Sequence, residues 1–214
     1  MNIEASFIRS AASASDLPKD GLAEIAFVGR SNVGKSSLIN ALVRQKVART
    51  SATPGKTRLA NVYRVARGSG TPFYLLDLPG FGYARAPKDK RGGAAAARQA
   101  SAAEFEAIVR AVFARGPAGL LLVDARHPGL ESDGAAWSWM REAAGTSAVV
   151  ANKIDKLGRG ERIRALRTFE SVLATSVLPV SAVTGEGLDE LWTLIDRIQS
   201  NSHPRPNPPP RSRP

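Results

Sequence analysis

The sequence contains no cysteine, so it can build neither a disulfide nor a thiolate metal site. Its two histidines, His127 and His203, show no metal-site spacing. No apolar run approaches the roughly 18 residues a membrane-spanning helix needs. The first 20 residues are rich in Ser and Ala but lack the continuous apolar core of a secretory leader. These absences set the expectation of a cytoplasmic protein with no membrane partner. Acids are also scarce: 19 Asp and Glu stand against 30 Lys and Arg, for a net charge of +11. The last 15 residues hold Arg205, Arg211 and Arg213 and no acid, so most of the excess lies on the body of the chain. Such a charge attracts polyanions such as RNA, without specifying a sequence.

What is present is organised around Gly29-Arg30-Ser31-Asn32-Val33-Gly34-Lys35-Ser36, which fits the phosphate-loop pattern G-x-x-x-x-G-K-[ST] at every fixed position. Glu24 to Val28 before it reads as a strand, and Ser37 to Val43 after it as an apolar-periodic helix ending near Arg44 to Lys46. The two glycines let backbone N–H groups converge on an anion, and the helix N-terminus adds partial positive charge. Lys35 would neutralise β- and γ-phosphate oxygens, and the Ser36 hydroxyl would hold Mg²⁺.

At 214 residues the chain suits one α/β domain with a tail. We expect an irregular N-terminal segment over residues 1–22, a nucleotide domain over 23–199 and a disordered Pro/Arg-rich tail over 200–214. After the first helix comes a polar, turn-rich stretch holding Thr53, Pro54, Gly55, Lys56 and Thr57. Thr57 is the better candidate there for a γ-phosphate sensor and second Mg²⁺ ligand, with Thr53 its rival. A hairpin follows, Asn61 to Val65, a turn at Gly68-Ser69-Gly70, then Phe73 to Leu76. It runs into Asp77-Leu78-Pro79-Gly80, a D-x-x-G match placed 42 residues after Lys35. Asp77 can hold Mg²⁺ through water, and the Gly80 N–H can meet the γ-phosphate.

Residues 81–93, with Lys88, Lys90 and Arg91, read as a mobile basic loop, and 94–115 as an Ala-rich helix. Ala118 to Val123 is a continuous apolar run, as expected of a parallel strand covered on both faces. A helix from about Ser132 to Ala144 carries Trp137 and Met140, read as core. Thr146 to Val150 is a further strand, ending in Asn152-Lys153-Ile154-Asp155, an N-K-x-D match. An Asp carboxylate there can accept from guanine N1–H and its exocyclic amine. Adenine has no donor at N1 and would leave that carboxylate unpaired. Asn152 can tie this loop to the phosphate loop, and Lys153 can lay its stem over the base. Arg159, Arg162, Arg164 and Arg167 lie on the next helix as a solvated face or an RNA-facing patch. Val177 to Val180 is the last strand. The Ser181-Ala182 turn after it can offer a backbone N–H to guanine O6. Gly187 opens a final amphipathic helix with Leu188, Leu191, Trp192, Leu194, Ile195 and Ile198 as core.

In this order the motifs resemble the EngB (YihA/YsxC) family of ribosome-biogenesis GTPases, within the TrmE/Era-like phosphate-loop GTPases. The likeness rests on Glu24 to Asn40, on Pro54-Gly55-Lys56-Thr57, on Asp77-Leu78-Pro79-Gly80-Phe81-Gly82-Tyr83-Ala84, and on Asp124-Ala125-Arg126-His127-Pro128. It implies a three-layer G domain with a mostly parallel six-stranded sheet, one antiparallel strand and helices on both faces. It implies a probe of GTP and GDP by Gly29 to Ser37, Gly55 to Thr57, Asp77 to Gly80, Asn152 to Asp155, and Val180, Ser181 and Ala182. Ser36 and Thr57 would be the Mg²⁺ ligands, with Asp77 acting through water; Lys35, Thr57 and Gly80 would serve catalysis. It further implies slow hydrolysis by a monomer that assists assembly of the large ribosomal subunit through its rRNA and proteins, with roles in growth and septation. The chain departs from the family at Asn152, where a threonine is frequent, and at Ala94 to Ala97, where a tryptophan is usual.

Phe81 follows Gly80 where many GTPases place a water-orienting glutamine, so slow intrinsic turnover is expected. In related GTPases with an apolar residue there, an asparagine at the Asn32 position helps bind K⁺. Two other readings compete: a GTP-gated module acting on a protein or membrane partner, and a small-molecule kinase on the same loop. Asn152 to Asp155 argues against the kinase.

Overall fold

The computed structural model describes residues 2–49, 59–81 and 106–202, with residues 201 and 202 described by their backbone only. Seven strands make one sheet: β1 (Ile3–Ala11), β2 (Glu24–Gly29), β3 (Ala60–Arg67), β4 (Phe73–Asp77), β5 (Ala118–Asp124), β6 (Ser147–Asn152) and β7 (Val177–Pro179). Their spatial order is β1-β3-β4-β2-β5-β6-β7. β4, β2, β5, β6 and β7 are parallel neighbours. β3 runs against both β4 and β1. The expected single antiparallel strand is therefore β3, joined to β4 by the expected hairpin.

Five helices flank the sheet: α1 (Lys35–Val43), α2 (over 106–113), α3 (Glu131–Ala143), α4 (Arg159–Leu173) and α5 (Leu188–Ser202). Alternation along the strands sorts them onto two faces. Ala26 and Val28 of β2 point into a core with Ile108, Val112, Trp137, Met140 and Phe169, so α2, α3 and α4 cover one face. Ile25 and Phe27 point the other way, onto Leu38, Ile39, Leu42, Leu191, Trp192 and Ile195 of α1 and α5. All of β5 is buried, as a strand covered on both sides must be.

Two expectations change. The sheet has seven strands, not six, because the segment read as irregular supplies β1 over Ile3–Ala11. β1 is an edge strand, its register slips between Phe7 and Arg9, and only Ala11 is fully buried. An exposed, bulged strand has little apolar alternation to announce it. The final helix also continues to Ser202, past the boundary set at 199. The tail over 203–214, the Thr53 to Thr57 stretch, the basic loop with Lys88, Lys90 and Arg91, and most of the 94–115 helix lie outside the described residues.

Candidate functional site

Four segments meet at the C-terminal ends of β2, β4, β6 and β7, the edge where open parallel sheets place their ligands. β2 ends at Gly29, the chain turns through 30–34, and α1 starts at Lys35. Gly34 caps that helix at φ 98°, a left-handed backbone, and a Cβ there would sit 2.6 Å from Asn152 Nδ2. So Gly34 is required both by the turn and by the approach of the fourth segment.

Lys35 is buried, and its ammonium donates to Gly29 O (3.0 Å) and Arg30 O (3.4 Å). Burial pushes its pKa down, and the nearby Asp77 carboxylate opposes that. Ser36 Oγ donates to Asp77 Oδ2 at 2.7 Å. Asp77 is only 1% exposed, and its Oδ1 is buried with no hydrogen-bond partner. Burial pushes this carboxyl up, while Lys35 and Ser36 pull the other way. A buried carboxylate oxygen facing a hydroxyl, without a donor, suits a divalent cation or its bound water. Among the described residues no three Asp, Glu or His side chains cluster as a metal site.

After Asp77 the chain runs beside the phosphate loop. Ser31 N–H donates to Phe81 O (3.1 Å), and Phe81 N–H to Gly29 O (3.3 Å). Ser31 Oγ donates to Gly80 O (3.3 Å). Gly80 lies so close that a Cβ on it would stand 2.6 Å from Ser31 N. Leu78 is fully buried, and the Phe81 ring packs onto the α2–α4 side of the core.

The base-reading candidates form a second network. Asn152 is 1% exposed; its Nδ2 donates to Val33 O at 3.0 Å, and its Oδ1 accepts from Lys153 N (2.8 Å) and Ala182 N (3.2 Å). One amide thus joins three segments, as expected for Asn152 and the phosphate loop. Lys153, at φ 70°, sends its ammonium to Asn32 O and to Asp124 Oδ2 (2.9 Å). Its stem spans from the base loop to the phosphate loop. Asp155 Oδ1 accepts from Ser181 Oγ at 2.7 Å. That bond, with help from Lys156, holds the Asp155 carboxyl below its ordinary range and keeps it ionised. Ser181 is itself fixed by Val183 N and Thr184 N, which donate to its Oγ at 3.2 and 3.0 Å. Ile154 is buried beneath the loop, and its N–H donates to Val180 O.

The structure therefore brings together Gly29 to Ser37, Asp77 to Gly80, Asn152 to Asp155 and Val180 to Ala182. Gly55, Lys56 and Thr57 lie outside the described residues. Two further acids act here that motif reading did not assign. Asp124, at the end of β5, accepts from Arg126 N, Nε and Nη2 as well as from Lys153. Asp133, 1% exposed on α3, accepts from Arg30 Nε at 3.0 Å, and its Oδ2 has no partner. In sequence Asp133 is one more acid in the first turn of a helix, and only the fold shows that it faces the phosphate loop.

The family model for 50S ribosome-binding GTPases matches residues 24–153. Among curated relatives, the "Probable GTP-binding protein EngB" of Heliobacterium modesticaldum is 37% identical over 206 residues, covering 94% of this chain and 95% of its own. The crystal structure of a probable GTP-binding protein EngB superposes with TM-score 0.62 at 23% identity, over 84% of this chain and 99% of that one. Era, crystallised with MgGDPNP and nucleotides 1506–1542 of 16S ribosomal RNA, gives TM-score 0.67 at 26% identity, over 82% of this chain and 56% of Era. With a GTPase family model over residues 24–153 and 37% identity to an EngB relative over 94% of its length, the chain belongs to the EngB family of GTP-binding proteins and is a GTPase.

Proposed function

We propose that this GTPase is a slow GTP/GDP switch that acts on the large ribosomal subunit or its precursor. The observation that carries the nucleotide half is the amide of Asn152. It holds the base loop, the phosphate loop and the Ser181-Ala182 turn at fixed mutual distances. Asp155 reads guanine N1–H and the exocyclic amine, backed by Val180, Ser181 and Ala182. Lys153 covers the base, and Gly29 to Ser37 wraps the phosphates. Lys35 exchanges two carbonyl acceptors for β- and γ-phosphate oxygens. Ser36 and Thr57 would hold Mg²⁺ directly, with Asp77 holding it through water, and the ion would offset phosphate charge. Gly80 N–H would meet the γ-phosphate, and the resemblance adds Gly55, Lys56 and Thr57 as nucleotide-binding residues, with Thr57 N–H also reaching toward the γ-phosphate.

Hydrolysis is slow because Phe81, partly buried against the core, has no polar atom with which to orient water. Asn32 has an exposed side chain beside the loop and is the candidate K⁺ ligand. The family description of 50S binding and the net charge of +11 support a ribosomal partner. Growth and septation effects would follow from that role.

Co-sedimentation with ribosomal subunits tests the reading. Retention by the large subunit with a non-hydrolysable GTP analogue and release with GDP supports it; no retention in either state overturns it. Calorimetry should show GDP binding with Mg²⁺, no ATP binding, and none of either by Lys35→Ala. Chelation of Mg²⁺ should weaken GTP binding by at least tenfold, roughly 1.4 kcal/mol. Equal hydrolysis in K⁺ and Na⁺ would remove Asn32 as a cation ligand.

A further inference from the structure

The sheet edge formed by β1 holds an aromatic and basic surface that the nucleotide site does not use. Phe7 is 50% exposed on β1, and its ring lies 5.8 Å from that of Tyr63, tilted by 58°. The turn after α1 is docked beside it: Gln45 Nε2 donates to Ile3 O at 2.8 Å. Asn40 folds that turn back, donating to Ala48 O and accepting from Ala48 N, both at 2.8 Å. Arg44, Lys46 and Arg49 are exposed along the turn. Burial raises the Tyr63 phenol and Asp77 adds to that, while Arg49 opposes both.

Arg30, Arg67, Arg115, Arg126, Lys153, Lys156 and Arg162 each have a carboxylate partner. Arg44, Lys46 and Arg49 have none among the described residues. Residues 3–11, 40–49 and 60–67, which build this edge, contain six Lys and Arg (Arg9, Arg44, Lys46, Arg49, Arg64 and Arg67) against one acid, Glu4. An uncompensated cation group beside an exposed ring matches single-stranded nucleic acid, whose bases stack on aromatics while its phosphates meet the cations. A protein strand added to β1 fits less well, because the slip between Phe7 and Arg9 interrupts the register a partner strand would need.

We propose that Phe7, with Arg44, Lys46 and Arg49, binds single-stranded RNA, one base stacking on Phe7. This deepens the ribosomal reading and rests on it for the source of the RNA.

The test is fluorescence anisotropy of the full chain with a labelled single-stranded 12-mer RNA, titrated between 50 and 200 mM KCl. Phe7→Leu keeps an apolar contact with Tyr63 but removes the stacking face. It should lower affinity by about fivefold or more, and Phe7→Trp should retain it. Arg44→Gln/Lys46→Gln/Arg49→Gln should reduce the slope of log K against log salt by about 2. GDP affinity and the thermal midpoint should stay at wild-type values in each, which separates lost binding from misfolding. The inference is overturned if Phe7→Leu binds like wild type, or if the triple variant keeps its slope. It is also overturned if Arg159→Gln/Arg164→Gln/Arg167→Gln on α4 removes the slope instead, or if anionic vesicles compete as well as RNA. Variants that co-sediment normally with large subunits refute this surface and leave the ribosomal reading intact. Wild-type chain that binds the 12-mer as described but never co-sediments refutes the ribosomal reading and leaves the surface.

Discussion

Asn152→Ala is the substitution whose consequence the geometry defines best. The amide makes three hydrogen bonds, to Val33 O at 3.0 Å and from Lys153 N and Ala182 N at 2.8 and 3.2 Å. At about 1 kcal/mol net each, truncation removes about 3 kcal/mol. Val33 is buried and its carbonyl is left without a donor, whereas Lys153 and Ala182 are only half-buried, so the sum stays near that value. For a chain of this size 1 kcal/mol moves the midpoint by about 2–4 °C, so Tm should fall by about 6–12 °C in the absence of nucleotide. Asn152→Thr keeps one hydroxyl that can serve one of the two loops and should lose about half as much. Thermal unfolding followed by circular dichroism, with and without saturating GDP, measures both. GDP should rescue the alanine variant poorly, because the loops that embrace it are no longer held in register. A fall below 2 °C with a tenfold loss of GDP affinity would refute the reasoning. In that case the loops are positioned by something else and Asn152 touches only the base.

Gly34→Ala should lose GDP affinity by more than tenfold and destabilise the fold by about 1–3 kcal/mol, since it puts a Cβ at positive φ against Asn152 Nδ2; calorimetry and urea unfolding check the two effects. Asp133→Ala should cost about 2–4 kcal/mol by urea unfolding, short of a fully buried pair because Arg30 keeps 25% of its side chain exposed. Arg30→Met/Asp133→Leu should recover most of that loss, and failure to recover would mean that the charge pair itself is required. Hydrogen bonds from Arg126 and Lys153 outweigh burial and hold the Asp124 carboxyl well below its ordinary range. Its contribution is complete above an unfolded carboxyl's pKa of about 3.9 and is lost as pH falls through the lower folded value. The stability gap between wild type and Asp124→Asn, read from urea midpoints, should therefore shrink from pH 5 to pH 2; a constant gap would show that the carboxylate charge contributes nothing.

The sheet and both loops were legible because each is written locally. β5 is an apolar run that only a strand buried on both faces can carry, and it proved buried throughout. Gly34, Lys35 and Ser36 are dictated by the turn and the helix start they occupy. What stayed hidden depends on contacts between distant segments. β1 earns its place through pairing with β3 rather than through its own pattern, and its bulge displaces Phe7 and Ile8 from a clean alternation. Asp133 reads as an ordinary helix-start acid until α3 packs beside the phosphate loop, 103 residues from Arg30. Asp124 belonged to a recognised motif, but its role as the acceptor for Lys153 needed the register of β5 against β6, which sets Asp124 beside Asn152.

Under the proposed function, that register would make recognition of the base and grip on the phosphates a single event. Asp124 and Asn152 are neighbours across β5 and β6, and the two side chains that follow from them, Lys153 and the Asn152 amide, both end on phosphate-loop carbonyls, Asn32 O and Val33 O. A purine that fails to satisfy Asp155 would leave an ionised, hydrogen-bonded carboxylate facing no donor, and it could avoid that only by shifting the loop that carries Asn152. Shifting that loop pulls on Val33, one residue before Gly34 and two before Lys35. Guanine selectivity is thereby expressed at the phosphates, through a chain of hydrogen bonds short enough to leave little slack between the two ends of the nucleotide.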